Sequence, residues 1–416
     1  MKAILFRNCR LLDPERDEIV DGHELLVEDG RIKDVADRPI KASGADVIDG
    51  GGRTLMPGLI DCHVHVVLSE VFIRTLENIP VTLMTARAMN LIGAMLGRGF
   101  TTVRDTGGAD WGLKTAVEQG LFPGPRLFIA GRALGPTGGH SDGRRRTDTA
   151  ASGGTADALS FAMGIADGVD GVRKAVREEM RQGCDHVKLM MSGGVSSPYD
   201  PLDSLQFSPA EVTAAVDEAH AFGRYVCAHA YTPEAIQRAA HGGVRSIEHG
   251  NLVDEPTATL MAENGMFLVA NLVTYYAMRE RAASFGMPKE MLEKNELVIE
   301  GGLRSLEICK RAGIPVPYGT DLLGQLQVEQ SREFELRAQV LSPLEIVRQA
   351  TTVGAQLLRR EGELGCLRPG AHADLLLVDG DPLRDIGLLA RPAESLAMIM
   401  QGGTLHRNRL PGGDGR

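Results

Sequence analysis

The sequence predicts an α/β fold: a (β/α)8 TIM barrel with a small β-sandwich domain that both chain ends form. Three observations support this prediction. The 416 residues are too many for one compact core and fit one large barrel with a smaller satellite. Short apolar segments alternate with helix-like stretches in the middle of the chain, and both ends show strand and turn patterns. We therefore predict the barrel over residues 58–357 and the small domain over residues 1–57 plus 358–416.

The N-terminal segment is typical of strands joined by tight turns. Residues 4–12 alternate loosely between apolar and polar side chains, and residues 24–28 form a second candidate strand. Asp29-Gly30 favours a turn directly after it. Met56-Pro57-Gly58 then separates this segment from the predicted barrel.

The middle of the chain alternates strand-like and helix-like stretches. Candidate strands lie at residues 59–67, 101–105, 127–131, 186–191, 225–230, 246–249, 267–271 and 316–321. Helical periodicity occurs at residues 83–96, 172–182, 209–222, 233–241 and 303–312. Eight strands that alternate with helices are typical of a (β/α)8 barrel. A doubly wound open sheet is the structural alternative, but no G-x-G-x-x-G turn follows the first strand.

The C-terminal segment is β-like again. Residues 373–378 and 396–400 are apolar runs that Gly, Asp and Pro bound. The simplest interpretation is that these strands pair with those of the N-terminal segment in one domain beside the barrel.

Composition and charge exclude several classes of function. The net charge of −10 repels nucleic acid and anionic membrane surfaces at long range. Six cysteines occur without a C-x-x-C pair, as expected of free thiols in a reducing compartment. No segment approaches the ~18 apolar residues of a membrane-spanning helix, and the N-terminus does not resemble a secretory signal. We therefore expect a cytoplasmic enzyme with a small-molecule substrate and no nucleic-acid or membrane partner.

The first candidate barrel strand carries an H-x-H motif, in Asp61-Cys62-His63-Val64-His65. Because side chains alternate along a strand, both imidazoles face the same way and can reach one metal ion. Histidine pairs at this spacing also arise by chance, so the motif alone is modest evidence.

Three further residues strengthen the prediction of a metal site. His229 ends the fifth candidate strand, His249 ends the sixth and Asp321 ends the eighth. Barrel enzymes place their catalytic groups at this carboxyl-terminal rim. Buried imidazoles and carboxylates are costly unless they are paired or bound to a metal.

Over nearly its whole length the chain resembles the amidohydrolase superfamily, from Leu55-Met56-Pro57-Gly58-Leu59-Ile60-Asp61 to Ala373-Asp374-Leu375. It is most similar to the branch related to imidazolonepropionase, which includes prolidase-like dipeptidases and carboxypeptidases. In that family the fourth strand supplies a lysine that CO₂ carboxylates, or another bridging ligand. Lys188 falls on the matching position. The alternative is an ordinary lysine that extends from the strand end or pairs with Asp185.

The resemblance implies two divalent metal ions, zinc by default, and a hydroxide between them that attacks a carbonyl. It places one ion with His63, His65 and Asp321, the other with His229 and His249, and a carboxylated Lys188 between the two. Asp321 would be the catalytic residue, which accepts the proton and passes it to the leaving amine.

Two further residues are candidates for substrate binding. His140 lies in a Gly-rich loop after the third strand, and Tyr231 follows a predicted metal ligand. The resemblance implies that both contact an oxyanion or the substrate carboxylate. The alternatives are a loop histidine in solvent and a tyrosine that packs at the rim.

These predictions favour a hydrolase for a peptide or amide bond next to a free carboxylate: an Xaa-Pro dipeptidase, carboxypeptidase or N-acyl amino acid hydrolase. The alternatives are a cyclic-amide hydrolase of the imidazolonepropionase type or a deaminase, although Lys188 argues against a mononuclear deaminase. A third possibility, a non-catalytic scaffold that has lost its metals, is disfavoured because all six ligand positions are filled. Relatives commonly assemble, which implies a homo-oligomer.

Overall fold

The computed structural model of the chain describes residues 3–144, 147, 161–197 and 199–411. Within these residues the chain forms three sheets, and helices separate most of the consecutive strands of the central region. Strands occur at β1 Ile4–Leu12, β2 Ile19–Glu28, β3 Arg31–Ala36, β4 Asp46–Asp49, β5 Thr54–Pro57, β6 Leu59–Val64, β7 Phe100–Asp105, β8 Arg126–Ile129, β9 Ala133–Gly135, β10 Met163–Ile165, β11 Val187–Met190, β12 Val226–Ala230, β13 Ser246–His249, β14 Phe267–Val269, β15 Leu375–Val378, β16 Leu396–Gln401 and β17 Thr404–Asn408.

The helices follow the predicted periodicity closely, and the last one predicted is longer than expected. They occur at α1 Val81–Gly97, α2 Trp111–Glu118, α3 Gly168–Arg181, α4 Pro209–Ala221, α5 Pro233–His241, α6 Glu255–Glu263, α7 Leu272–Phe285, α8 Lys289–Ala312, α9 Glu333–Arg337, α10 Pro343–Gln349, α11 Thr352–Leu357, α12 Gly387–Ala390 and α13 Pro392–Ser395. Two 3-10 helices occur at Ile73–Asn78 and Gly324–Arg332. No helix of the described residues has the length and apolar character needed to cross a bilayer.

Local sequence signals explain where several helices begin. The Ser208 hydroxyl accepts the Glu211 backbone N–H and the Glu211 carboxylate accepts the Ser208 N–H, which completes a capping box at α4. Ser342 and Glu345 repeat the arrangement at α10. A capping box satisfies backbone donors that a helix start leaves without partners.

A mixed sheet joins the two ends of the chain. Its strand order is β17-β16-β15-β5-β1-β2-β3, and β4 also pairs with β1. The connection between the ends is the antiparallel pair of β5 and β15, in which Leu55 lies opposite Leu377. These two side chains are fully buried with Phe6, Leu25 and Met398 in one apolar cluster. The ends of the chain therefore share a core.

The central region consists of two parallel sheets, β6-β7-β8 and β10-β9-β11-β12-β13-β14. Within each sheet the strands run in one direction, so their carboxyl ends lie at one edge. The rings of His63 in β6 and His249 in β13, with centroids 5.2 Å apart, bring these edges of the two sheets together. Backbone hydrogen bonds also link the sheets. Asp185 N, two residues before β11, donates to Ile129 O in β8 over 2.8 Å. On the other side, Leu268 N donates to Pro315 O over 3.2 Å and Cys62 N donates to Tyr318 O over 2.8 Å.

The predicted eighth barrel strand, residues 316–321, is not a regular strand, so this prediction was wrong as stated. The segment still lies between β14 and β6 through the hydrogen bonds just given. Pro315 directly precedes the segment and Pro317 lies within it, and because proline has no N–H, a continuous ladder cannot form there. The segment keeps its place but loses the regular pairing.

Candidate active site

The side chains of His63, His65 and Asp321 converge at the carboxyl-end edge of the parallel sheets. His63 lies in β6, and His65 lies just beyond its end. Asp321 Oδ1 is 3.2 Å from His63 Nε2 and 3.0 Å from His65 Nε2. One ligand atom each of His63, His249 and Asp321 lies within 4.8 Å of the others. The geometry therefore brings together nitrogen and oxygen donors from three separate segments.

A second group of predicted ligands adjoins the first. The ring centroids of His229 and His249 are 4.4 Å apart, and those of His63 and His249 are 5.2 Å apart. Lys188 lines the same cavity from β11 and is 1% exposed. In the described part of the chain it has no hydrogen bond or ion pair. Asp185, the partner considered for it, is instead 2.7 Å from Lys114 Nζ.

Two of these residues have a backbone conformation that is unusual for non-glycine residues. His249 has φ 76° and Asp321 has φ 52°, both in the left-handed region. This conformation costs of the order of 1–3 kcal/mol and is concentrated at functional sites. At the end of β13 the neighbours Glu248 and His249 both contact His63, although side chains of consecutive residues in a regular strand point to opposite faces.

A buried ion pair lies beneath the histidines. Arg104 Nη2 donates to both carboxylate oxygens of Glu248 over 2.7 Å, and Glu248 Oε2 is 2.8 Å from His63 Nδ1. Burial opposes ionisation of Glu248, but Arg104 and then His63 outweigh it and hold the pKa of this carboxyl well below its usual range. The anion is thus placed to orient the His63 ring, as residues behind metal ligands do.

The protonation of three of the predicted ligands suits metal binding. Burial lowers the pKa of His229 and His249 well below the usual range, so both imidazoles are neutral. Burial opposes the charge of Asp321, but the contacts with His63 and His65 outweigh it and lower the pKa of its carboxyl. Metal ligands must be deprotonated, and these three groups are.

Two buried carboxylates hold the first histidine pair in place. Asp61 accepts hydrogen bonds from Thr320 Oγ1, Gln330 Nε2 and the His63 N–H. Asp105 accepts the Gly107 N–H, and the Gly107 carbonyl is 2.8 Å from His65 Nδ1. Both carboxylates therefore fix, by hydrogen bonds, the backbone that positions His63 and His65.

The two predicted substrate contacts lie beside the second group of ligands. The ring of His140 stacks on that of His229 with centroids 4.6 Å apart and planes inclined by 17°. Tyr231 OH is 2.8 Å from Tyr275 OH, which is 2.7 Å from His249 Nδ1. The hydroxyl of Tyr231 thus belongs to a chain of hydrogen bonds that ends at a predicted ligand.

One cavity of about 290 Å³ contains these groups. Its other walls are mostly apolar and come from the segment after β6, from α7 and α8, and from the segment after Asp321. They include Leu68, Phe72, Met278, Met291 and Leu326. The Gly-rich loop of residues 135–154 lies partly outside the described residues, and its described part contributes His140, Asp142 and Gly143.

The sequence by itself assigned no role to Glu248, Arg104, Asp61 or Asp200. One signal could have indicated the first three: charged residues inside otherwise apolar strands need a partner when they are buried. Which partner each one takes depends on strand pairing and could not be predicted from local patterns.

The model of the Amidohydrolase family matches residues 54–405. The chain is 30% identical to the ochratoxinase of Aspergillus niger over 85% of this chain and 75% of that protein. It is 28% identical to the imidazolonepropionase of Ralstonia nicotianae, over 86% of each chain.

A solved structure is also similar over nearly the whole length. It is a crystal structure of a prolidase complexed with N-methylphosphonate-L-proline, 46% identical, with a TM-score of 0.95. The match covers 98% of this chain and 100% of that chain.

Proposed function

We propose that this chain, which belongs to the amidohydrolase family, is a binuclear metal-dependent hydrolase that cleaves a peptide or amide bond next to a free carboxylate. Family membership and its prolidase and ochratoxinase relatives make it a hydrolase of amide or peptide bonds. The observation that carries the finer proposal is the convergence of all six predicted ligands at one cavity.

The donor set fits divalent metal ions. Neutral imidazoles and a carboxylate suit first-row divalent ions, and zinc is the default. The family is generally metal-dependent. We propose His63, His65 and Asp321 for one ion, and His229 and His249 for a second. When bound, such ions polarise the scissile carbonyl and lower the pKa of water.

Lys188 fits the bridging position between the two groups of ligands. An ammonium buried without a partner is costly, because burial removes its solvation. Carboxylation by CO₂ converts the amine into a carbamate anion with two oxygen donors. We propose this modification because it removes the buried positive charge and supplies the ligand that the His229 and His249 group lacks.

We propose that residues of the chain transfer the proton and bind the substrate. The carboxylate of Asp321 is ionised and exposed to the cavity, so it can accept a proton from water and deliver it to the leaving nitrogen. The ring of His140 stacks on His229 and that of Tyr231 stacks on His249, and we propose that both contact the carboxylate or the developing oxyanion of the substrate.

The substrate class is supported by the similar prolidase. That protein is complexed with N-methylphosphonate-L-proline. In an Xaa-Pro dipeptide the proline nitrogen belongs to the scissile bond, and the free carboxylate is on the adjacent α-carbon. We therefore propose Xaa-Pro dipeptides, other dipeptides and N-acyl amino acids as substrates. The imidazolonepropionase relative supports a cyclic amide as the second candidate.

A substrate library tests the proposal. The zinc-loaded protein is assayed with dipeptides, N-acyl amino acids, C-terminally amidated dipeptides and imidazolonepropionate. We expect hydrolysis of the compounds with a free carboxylate, and a much lower kcat/KM for the amidated ones. Equal kcat/KM for both would exclude recognition of the carboxylate, and turnover of the cyclic amide alone would favour the second candidate.

The two parallel sheets also fit a closed (β/α)8 barrel over residues 58–357. The hydrogen bonds from β8 to β11, and from β14 and β6 to the segment at Pro315–318, support this proposal. The mixed sheet would then be the core of a separate β-sandwich domain, residues 1–57 plus 358–416. The homo-oligomeric state and the cytoplasmic location stay predictions.

A further inference from the structure

His140 is held in place by residues that do not belong to the metal site. Its Nδ1 is 3.1 Å from Asp200 Oδ2, and its backbone N–H donates to Gln206 Oε1 over 2.9 Å. Gln206 Nε2 in turn donates to Asp200 Oδ2 over 3.4 Å. Asp200 is 4% exposed. One buried carboxylate and one amide thus hold both the ring and the backbone of His140.

The faces of the His140 ring are also confined. One face stacks on His229. A Cβ atom added to Gly194 would lie 2.0 Å from His140 Cε1, so only glycine leaves room for the ring. The imidazole therefore has little freedom to rotate out of this position.

Lys294 connects this arrangement to helix α8. Its Nζ donates to the carbonyl oxygens of Gly194 over 3.1 Å, Ser197 over 2.8 Å and Asp200 over 2.6 Å. An ammonium has three donors and no acceptor, so three carbonyls match it completely. The helix that supplies a wall of the cavity is thereby joined to the residues that hold His140.

We propose that Asp200 and Lys294 are positioning residues that fix the imidazole of His140 with Nε2 toward the cavity. The inference rests on the proposed function, in which His140 contacts the carboxylate or oxyanion of the substrate. The Asp200 carboxylate accepts a hydrogen bond from Nδ1–H of His140. Lys294 binds the carbonyls of Asp200 and Gly194, and so keeps the carboxylate beside Nδ1 and keeps the space at Gly194 that the ring occupies. Removal of the partner behind a metal-bound histidine typically costs roughly 10-fold to 100-fold in affinity or activity, and we expect an effect of similar size for the partners of His140.

A double-mutant cycle separates positioning from a general structural effect. Asp200→Ala and Lys294→Met are each combined with His140→Ala, and kcat, KM and bound metal are measured. We expect each single variant to keep its metal and to lower kcat/KM roughly 10-fold to 100-fold. We expect no further loss on the His140→Ala background, because residues that act through one group are not additive. Full additivity, or a loss in proportion to lost metal, would overturn the inference.

Matched controls exist on the same elements. Asp203→Asn changes an exposed aspartate of the same segment, and Lys289→Met changes an exposed lysine of α8 that pairs with Glu293. Both should leave kcat/KM unchanged. A loss in these controls equal to that of Asp200→Ala and Lys294→Met would show that charge removal, not positioning, is responsible.

A measurement without substrate keeps the inference separate from the proposed function. Nitrogen-15 histidine NMR of the wild type and of His140→Ala identifies the His140 signals. We expect a proton on Nδ1 in the wild type and altered signals in Asp200→Ala. Unchanged signals would overturn the positioning role even if peptides are hydrolysed. Altered signals in a protein that hydrolyses no library compound would support it while the proposed function fails.

Discussion

Asp321 combines a left-handed backbone, contacts with His63 and His65, and an ionised carboxylate. Together, these properties keep the negatively charged carboxylate of Asp321 at a defined point of the cavity. An amide of the same shape keeps an oxygen donor there but cannot accept a proton at neutral pH. Metal binding and proton transfer are therefore separable at this residue.

We expect Asp321→Asn to retain much of its metal and to lose nearly all turnover. Loss of a general base typically lowers the rate by about 10²–10⁴-fold. Bound metal is measured by elemental analysis and kcat by a steady-state assay on the best library substrate. Near-normal kcat would show that another group moves the proton.

The ion pair of Glu248 and Arg104 allows a second test at the residue scale, because both side chains are fully buried and neither charge can be solvated if its partner is removed. Replacing Glu248 with Gln leaves the Arg104 charge without its counter-ion, which typically costs 3–5 kcal/mol, so we expect a loss of about that size in the free energy of unfolding. Denaturant unfolding measures it. Glu178→Gln is the control, since its pair with Arg181 is exposed, and it should not change the midpoint measurably.

The same pair predicts a pH dependence. The pKa of Glu248 is lower in the folded chain than in the unfolded chain. Its stabilisation is therefore fully present above the unfolded pKa of about 4.3 and is lost as the pH falls through the folded value. The difference in unfolding free energy between the wild type and Glu248→Gln should shrink below that pH. A difference that is constant with pH would contradict this assignment of charge.

At the scale of elements, the segment before Asp321 shows that a ligand can be placed without a regular strand. Its two prolines prevent a continuous ladder, and its contacts with β6 and β14 still bring Asp321 to His63. Close packing against β6 and β14 holds the segment where regular strand pairing is missing. Gly319 lies at the tightest point: an added Cβ would be 2.4 Å from Val269 Cγ1 and 2.6 Å from Asn271 Oδ1.

We therefore expect Gly319→Ala to lower both the free energy of unfolding and the affinity for metal. Overpacking of this kind costs about 1–3 kcal/mol, and any shift of the segment moves Asp321 away from His63. Unfolding and metal titration measure the two effects. Gly171→Ala in α3 is the control, because its nearest atom would be 4.0 Å away. Equal behaviour of the two variants would contradict the packing argument.

At the scale of the molecule, the proposed ions bind only the folded arrangement, because their ligands come from segments far apart in the chain. A ligand that binds only the native state stabilises it. Removing the metal should therefore lower Tm as well as activity.

We expect a chelator to abolish activity and to lower Tm, and added zinc to restore both. Calorimetry and a steady-state assay measure the two effects. In His63→Ala, which lacks a ligand, the chelator should change Tm much less. An equal shift in both proteins would mean that the chelator acts elsewhere.

The limits of the sequence are visible in the particular residues. The H-x-H motif and three residues at the ends of predicted strands indicated most of the candidate ligands, because these signals are local. The support of His140 by Asp200 and Lys294 could not be predicted in the same way. His140 and Lys294 are far apart in the chain, and nothing in either local pattern specifies the other.

By itself, the sequence indicated the alternation of strands and helices in the central region, because the spacing of apolar residues and the helix caps act over a few residues; it did not indicate that residues 316–321 lack a regular strand. It also determined which side chains are able to bind metal. The tertiary structure alone decided which groups meet: Glu248 with Arg104, Asp61 with Gln330, and Asp200 with His140. These pairs depend on the packing of segments that are distant in the chain, and that packing is a property of the whole fold.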